Sequence, residues 1–119
     1  VDPRIVITLK IIEEQKASIQ FGVTETSRML GISEAYLLRL FHREVGKTFR
    51  GYLRNMRMIR ATELMKQNTR SIKQIALDCG YSDVSNFYRD FKTVHKNTPR
   101  EVRLRQLAAL VSMDQVLGR

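Results

Sequence analysis

Cysteine is almost missing. Cys79 stands alone among 119 residues, so no internal disulfide can form, and a reducing compartment such as the cytoplasm is the expected home. Histidine is equally scarce. His42 and His95 beside one thiol give no cluster with metal-ligand spacing, so neither a metal nor another cofactor is expected. No apolar run approaches the roughly 20 residues that cross a bilayer. The start, Val1-Asp2-Pro3-Arg4, has neither the basic segment nor the apolar stretch of a secretory leader. A beginning without Met points to a fragment or a processed chain. Strand-like alternation is absent throughout. Acidic residues are few: 12 Asp and Glu against 21 Lys and Arg give a net charge of +9. That imbalance favours a polyanionic partner, namely nucleic acid, an anionic membrane face or an acidic protein. With 43% hydrophobic residues, the chain has enough apolar content for a packed core and too much for wholesale disorder.

What is present is helical spacing. Asp2 followed by Pro3 makes a cap and a first-turn proline, and Ile5, Leu9 and Ile12 behind them form an apolar stripe. This helix should run to about residue 16. A short helix over Val23–Leu30 ends at Gly31, where a tight turn needs positive φ. Ser33 can cap the next helix, which Gly46 stops. Thr48 can cap a longer one, through about residue 67, with Phe49, Tyr52, Leu53, Met56, Ile59, Ala61 and Leu64 on its apolar face. Ser71 to Gln74 has capping-box spacing and opens a short helix closed by Gly80. Ser82 can cap a further helix to about residue 95. Thr98, Pro99 and Glu101 start the last one. The class is all-α, with about seven helices. Cys79 reads as a small buried apolar residue.

One pattern occurs twice. Gly31-Ile32-Ser33, followed by Leu37 and Phe41, matches Gly80-Tyr81-Ser82, followed by Phe87 and Phe91, with one extra residue after the second serine. Each copy is two helices joined by a tight glycine turn. That is the helix-turn-helix unit, whose second helix can lie in the DNA major groove. The helix between the copies, about 20 residues long, spans about 30 Å. Successive major grooves on one face of a duplex lie about 34 Å apart. A rod of this length could hold two recognition helices in adjacent grooves. Because the copies differ, their site would be asymmetric.

Four segments carry a resemblance. They are Ser33-Glu-Ala-Tyr-Leu-Leu-Arg-Leu-Phe41, Tyr52-Leu-Arg-Asn-Met-Arg-Met-Ile-Arg-Ala61, Ile75-Ala-Leu-Asp-Cys-Gly-Tyr-Ser82, and Asn86-Phe-Tyr-Arg-Asp-Phe-Lys92 with Thr98-Pro99-Arg100. Over roughly residues 4 to 103 the chain resembles the C-terminal DNA-binding domain of AraC/XylS-type bacterial transcription regulators. The resemblance implies two helix-turn-helix subdomains, at 1–47 and 68–103, joined by a linker helix at 48–67. It also implies sequence-specific binding of double-stranded DNA and control of transcription, including activation. A helical tail, 104–119, lies beyond it. Larger members carry a sensing or dimerising domain, so such a domain is expected to be missing from this chain. RNA polymerase is a further partner to consider.

Helical geometry turns Leu37, Leu40 and Phe41 toward the core and leaves Ala35, Leu38, Arg39 and His42 outward. The resemblance places base contacts on that outward stripe. The planar fork of Arg39 suits guanine O6 and N7, and Ala35 and Leu38 suit a thymine methyl. In the second copy Phe87, Phe91 and Val94 face inward, and the family pattern puts groove contacts at Ser85, Asn86 and Arg89. Val84 stands where the family often has a polar contact residue. Phosphate contacts are expected at capped helix starts and loops, from Ser33, Lys47, Thr48, Ser82, Thr98 and Arg100, because helix N-termini offer free N–H groups. His42, Arg43, Tyr88 and Lys92 complete that set. Asp83 and Asp90 would repel phosphate and belong at the margins. The arginines of the linker helix read as a solvated face, with Arg57 beside the apolar side and able to bridge the halves. Lys96 replaces the family's usual glycine turn, and Asn97 can supply the left-handed residue instead. In the tail, Leu107, Leu110, Val111 and Leu117 are expected to dock on the domain or a partner.

Other function classes fare worse. Glu13 and Glu14 are adjacent, so on a helix they face different ways, and no nucleophilic triad or phosphate-cradling glycine loop is visible. The chain reads as no enzyme. Two binding alternatives stay open: a basic helical module docking an acidic protein such as a polymerase subunit, and an anionic-membrane binder, which needs bulky apolar residues exposed on one amphipathic helix.

Overall fold

The computed structural model describes residues 1–67 and 69–116. Seven helices follow in order: α1 (Pro3–Gln15), α2 (Val23–Leu30), α3 (Glu34–Val45), α4 (Phe49–Lys66), α5 (Ile72–Asp78), α6 (Val84–His95) and α7 (Pro99–Val116). The chain is all-α, with two helix-turn-helix units, α2–α3 and α5–α6, on either side of α4.

Local chemistry sets the ends. The Asp2 carboxylate accepts from the Arg4 amide at 2.9 Å, the Ser33 hydroxyl from Tyr36 N at 3.1 Å, Thr48 from Gly51 N at 3.0 Å and Ser71 from Gln74 N at 3.1 Å. Each satisfies a donor that the helix start leaves free. Gly31 closes α2 at φ 69°, and Gly80 makes the corresponding turn at φ 94°. This left-handed region costs any residue with a Cβ.

Two positions differ from the sequence reading. Ser82 does not cap α6. Asp83 does, its carboxylate accepting from Ser85 N at 2.8 Å. The extra residue of the second copy moves the helix start by one, and the short acidic side chain reaches the amide two residues on. The left-handed residue after α6 is Lys96 itself, φ 65°, rather than Asn97. Its amide bonds Lys92 O at 2.9 Å, as a C-cap glycine's would.

The interior forms two separate clusters. The first joins Ile5, Ile12, Phe21, Leu37, Leu40, Phe41, Phe49 and Leu53, with Leu9, Tyr52 and Met56 packed against it. The second joins Met58, Ala61, Leu64, Met65, Ile75, Cys79, Tyr81, Phe87 and Phe91. Helix α4 supplies both. At about 100° per residue, its first-cluster face and its second-cluster face point about 140° apart. Ile59 falls outside the arc between them and is 52% exposed, whereas Met58 is wholly buried. The expected apolar face thus gains Met58 and Met65 and loses Ile59. The two subdomains grip different sides of one helix, and this splits the apolar pattern.

Helix α7 starts against the second cluster through half-buried Val102. Beyond it Leu104, Leu107, Leu110, Val111 and Met113 are exposed. The expectation that the tail docks on the domain fails for Leu107, Leu110 and Val111, whose side chains are exposed. Leu117 lies outside the described residues. Among the described residues no helix is long and apolar enough to cross a membrane, and no group of three or more His, Cys, Asp or Glu could hold a metal ion.

Candidate nucleic-acid interface

Each second helix of a helix-turn-helix unit is held by its inward aromatics. In α3, Leu37, Leu40 and Phe41 are buried, and the Phe41 ring meets Phe49 edge-on at 5.4 Å and Tyr52 at 5.6 Å. In α6, Phe87 and Phe91 are wholly buried, with Tyr81 edge-on to Phe87 at 5.4 Å. Anchoring one side of a helix fixes what the other side presents.

The presented stripes are the expected ones. Ala35, Leu38, Arg39, His42 and Arg43 are exposed on α3. Ser85, Asn86, Arg89 and Lys92 are exposed on α6. Leu38, Arg39 and His42 meet Thr48 and Arg50 across a groove of ≈ 700 Å³ floored by Phe21, Phe49 and Leu53. Tyr88, Arg89, Lys92, Thr93 and Thr98 share a shallower concavity of ≈ 420 Å³. Ser33, Lys47, Ser82 and Arg100 are exposed at the helix starts and turns.

Tyr88, expected at a phosphate, is less available than the stripe residues. It is half-buried, with its ring centre 6.3 Å from that of Phe87. Thr98 also has less to offer a phosphate. Its amide donates to the Glu101 carboxylate at 3.3 Å and its hydroxyl lies 3.0 Å from the same oxygen, so an internal anion already holds that helix start. These bonds keep the Glu101 carboxyl below its usual range.

The cations on the stripes form no salt bridge among the described residues, although the Arg39 guanidinium lies 6.0 Å from the centre of the Tyr36 ring. The four salt bridges among the described residues use Asp2–Arg4, Glu13–Lys16, Glu25–Arg28 and Asp78–Arg70. None uses Arg39, Arg43, Arg89, Lys92 or Arg100. The nearby acids are occupied elsewhere. Asp83 caps α6, and Asp90 accepts the Tyr81 hydroxyl at 2.7 Å. With Asp78 paired to Arg70, all three negative groups of the second copy are turned to internal partners, as a surface for polyanions requires. Near the N-terminus Asp2 is held down at about pKa 2 by its hydrogen bonds from Arg4, with Arg43 adding a smaller pull.

Arg57 bridges the two halves, as its place beside the apolar side allows, but its partners and the structural role of Arg60 were not legible in the sequence. Arg60 Nε donates to Asp78 O at 3.0 Å, and Arg57 donates to the carbonyls of Lys16 and Ser18 at 2.8 and 3.0 Å. Backbone carbonyl acceptors have no sequence signature. The alternation of arginine with apolar residues along α4 is the sole hint, and it reads equally as a solvated face.

Two glycine-turned helix pairs, each with its second helix anchored inward and basic outward, define a helix-turn-helix DNA-binding domain. A family model described as a helix-turn-helix domain matches residues 26–105. The transcriptional activator RhaR of Mannheimia succiniciproducens is 31% identical over 91 residues, covering 76% of this chain and 33% of that protein. The xylose operon regulatory protein of Escherichia coli K12 is 30% identical over 102 residues, covering 86% of this chain and 26% of its own. Among solved structures, the C-terminal domain of the two-component response regulator yesN from Fusobacterium nucleatum superposes with a TM-score of 0.79 at 32% identity, covering 82% of this chain and 94% of that one. The chain belongs to the AraC/XylS family of transcription regulators, as a C-terminal DNA-binding domain. It spans a third or less of the length of these two curated relatives.

Proposed function

We propose that α3 and α6 enter successive major grooves of one asymmetric duplex site and read bases there, as the DNA-reading part of a bacterial transcription activator. One observation carries the reading: two independently packed units share the continuous helix α4, and each presents an exposed stripe whose cations form no salt bridge among the described residues. With 18 residues, α4 is about 27 Å long, close to the roughly 34 Å between successive major grooves. Arg39 and Arg89 are the guanine readers, Asn86 suits adenine, Ser85 contributes a short polar contact, and Ala35 with Leu38 meets thymine methyls. Ser33, His42, Arg43, Lys47, Thr48, Ser82, Lys92 and Arg100 set register on the phosphates, with Tyr88 and Thr98 as weaker contributors. The likeness to a protein called a transcriptional activator supports activation. The greater length of the relatives supports a sensing or dimerising domain elsewhere in the whole regulator.

The test is base-resolved. Arg39→Ala and Arg89→Ala are compared with the parent on a duplex carrying each single base change, at fixed salt. Loss of about 1–3 kcal/mol confined to one base pair in each half assigns the readers. An equal loss on every sequence would reduce both residues to phosphate contacts and sink the assignment.

A further inference from the structure

The bridging arginine of the linker helix has an arrangement that DNA contact does not explain. Arg57 lies near the middle of α4, between the last first-cluster residue, Met56, and the first second-cluster residue, Met58. Its guanidinium points away from neither unit. Nε donates to Lys16 O at 2.8 Å and Nη2 to Ser18 O at 3.0 Å, both in the α1–α2 loop of the first unit. Its Cζ stands 5.6 Å from the centre of the Tyr81 ring, in the turn of the second unit. Tyr81 in turn donates its hydroxyl to Asp90, on α6, at 2.7 Å. A continuous chain therefore runs from two backbone carbonyls of the first unit, through one planar cation, to the second recognition helix.

The backbone is fitted to this bridge. Gly80 is buried at φ 94°. A Cβ there would stand 3.0 Å from Arg57 Nε and 3.0 Å from Lys16 O. The loop of one unit thus comes against the turn of the other here, and a side chain at this positive φ would crowd both the cation and the carbonyl. A cation half-removed from water with two carbonyl acceptors and an aromatic face holds one geometry better than a surface ion pair does.

We infer that Arg57 is the positioning residue that sets the angle and distance between α3 and α6, and so the spacing of half-sites that the protein accepts. The inference rests on the two-groove reading above. A base pair inserted between half-sites moves them apart by about 3.4 Å and rotates one by about 35°. A rigid double reader cannot follow that, and loses the benefit of engaging both halves. A hinged one can.

The test uses duplexes carrying both half-sites with the spacer lengthened or shortened by one and two base pairs, and duplexes carrying one half-site. The parent should lose about a hundredfold in affinity on a one-base-pair change. For Arg57→Ala the penalty should shrink below about tenfold, with single half-site affinity unchanged. Arg57→Lys, which reaches one carbonyl but lacks the fork, should fall between. An unchanged spacing penalty in Arg57→Ala would overturn the inference, whatever the variant's melting temperature. A parent indifferent to spacing would overturn both this inference and the two-groove reading. A second readout is independent of DNA: spin labels at Lys10→Cys and Thr93→Cys report the distance between units. Cys79 is buried, and its thiol is pushed up to about 11 by desolvation, so it does not compete for label. The distance distribution should be narrow in the parent and broaden with Arg57→Ala. An equally narrow distribution would refute the positioning role even if DNA binding follows the two-groove scheme.

Discussion

Neighbouring residues on the linker helix give a sharp test of how the two units grip it. Met58 is wholly buried in the second cluster, beside Ala61 and Phe87, while Ile59 is 52% exposed. Met58→Ala removes a thioether and leaves a cavity, and deletions of this kind cost about 2–5 kcal/mol. Ile59→Ala removes a side chain that was half in water. It also replaces a β-branched residue, which loses rotamer freedom in a helix, with the best helix former. The net change should stay within about 0.5 kcal/mol of zero. Against a total stability of about 5–15 kcal/mol for a domain of this size, the first change is severe and the second is invisible. Urea unfolding followed by far-ultraviolet circular dichroism reads both. Equal losses, or a larger loss at Ile59, would refute the division of α4 into two faces.

Two further outcomes follow from particular residues. Lys96 holds a left-handed conformation at φ 65°, so Lys96→Gly should raise stability by about 0.5–1 kcal/mol despite losing the exposed Nζ contact to Thr93 O; a lowered unfolding midpoint would contradict the strain argument. Asp2 has its carboxyl lowered from 3.8 to about 2 by bonds from Arg4. A group depressed on folding contributes stability above its unfolded pKa, and loses it as pH falls through the folded one. The difference in melting temperature between the parent and Asp2→Asn should therefore be full above about pH 4 and disappear near pH 2; a difference that does not change with pH would rule this out.

The legible part of the fold was the part written in local chemistry. Gly31 and Gly80 announced the two turns because few other residues tolerate that backbone, and Ser33, Thr48 and Ser71 announced helix starts because their hydroxyls have one obvious use. The outward stripes of α3 and α6 followed from the inward aromatics at fixed spacing. What failed was tertiary. One helix serving two cores has two apolar directions, so a single-face reading placed Ile59 inside and passed over Met58 and Met65. The cap of α6 moved from Ser82 to Asp83 because two capping residues stand side by side, and local sequence does not choose between them. The partners of Arg57 are backbone carbonyls distant in sequence, which leave no trace in residue types. The apolar tail residues Leu107, Leu110 and Val111 suggested docking, but they are exposed, and whether a tail is covered depends on packing that residue types do not encode.

The central claim is that both units read bases from positions held by one linker helix. Selection from a random duplex library at fixed near-physiological salt, with sequencing of the bound pool, tests it most directly. The account predicts enrichment of two unlike half-sites about one helical turn apart. Binding without enrichment of any sequence would contradict it, and enrichment of one half-site alone would confine base reading to a single unit.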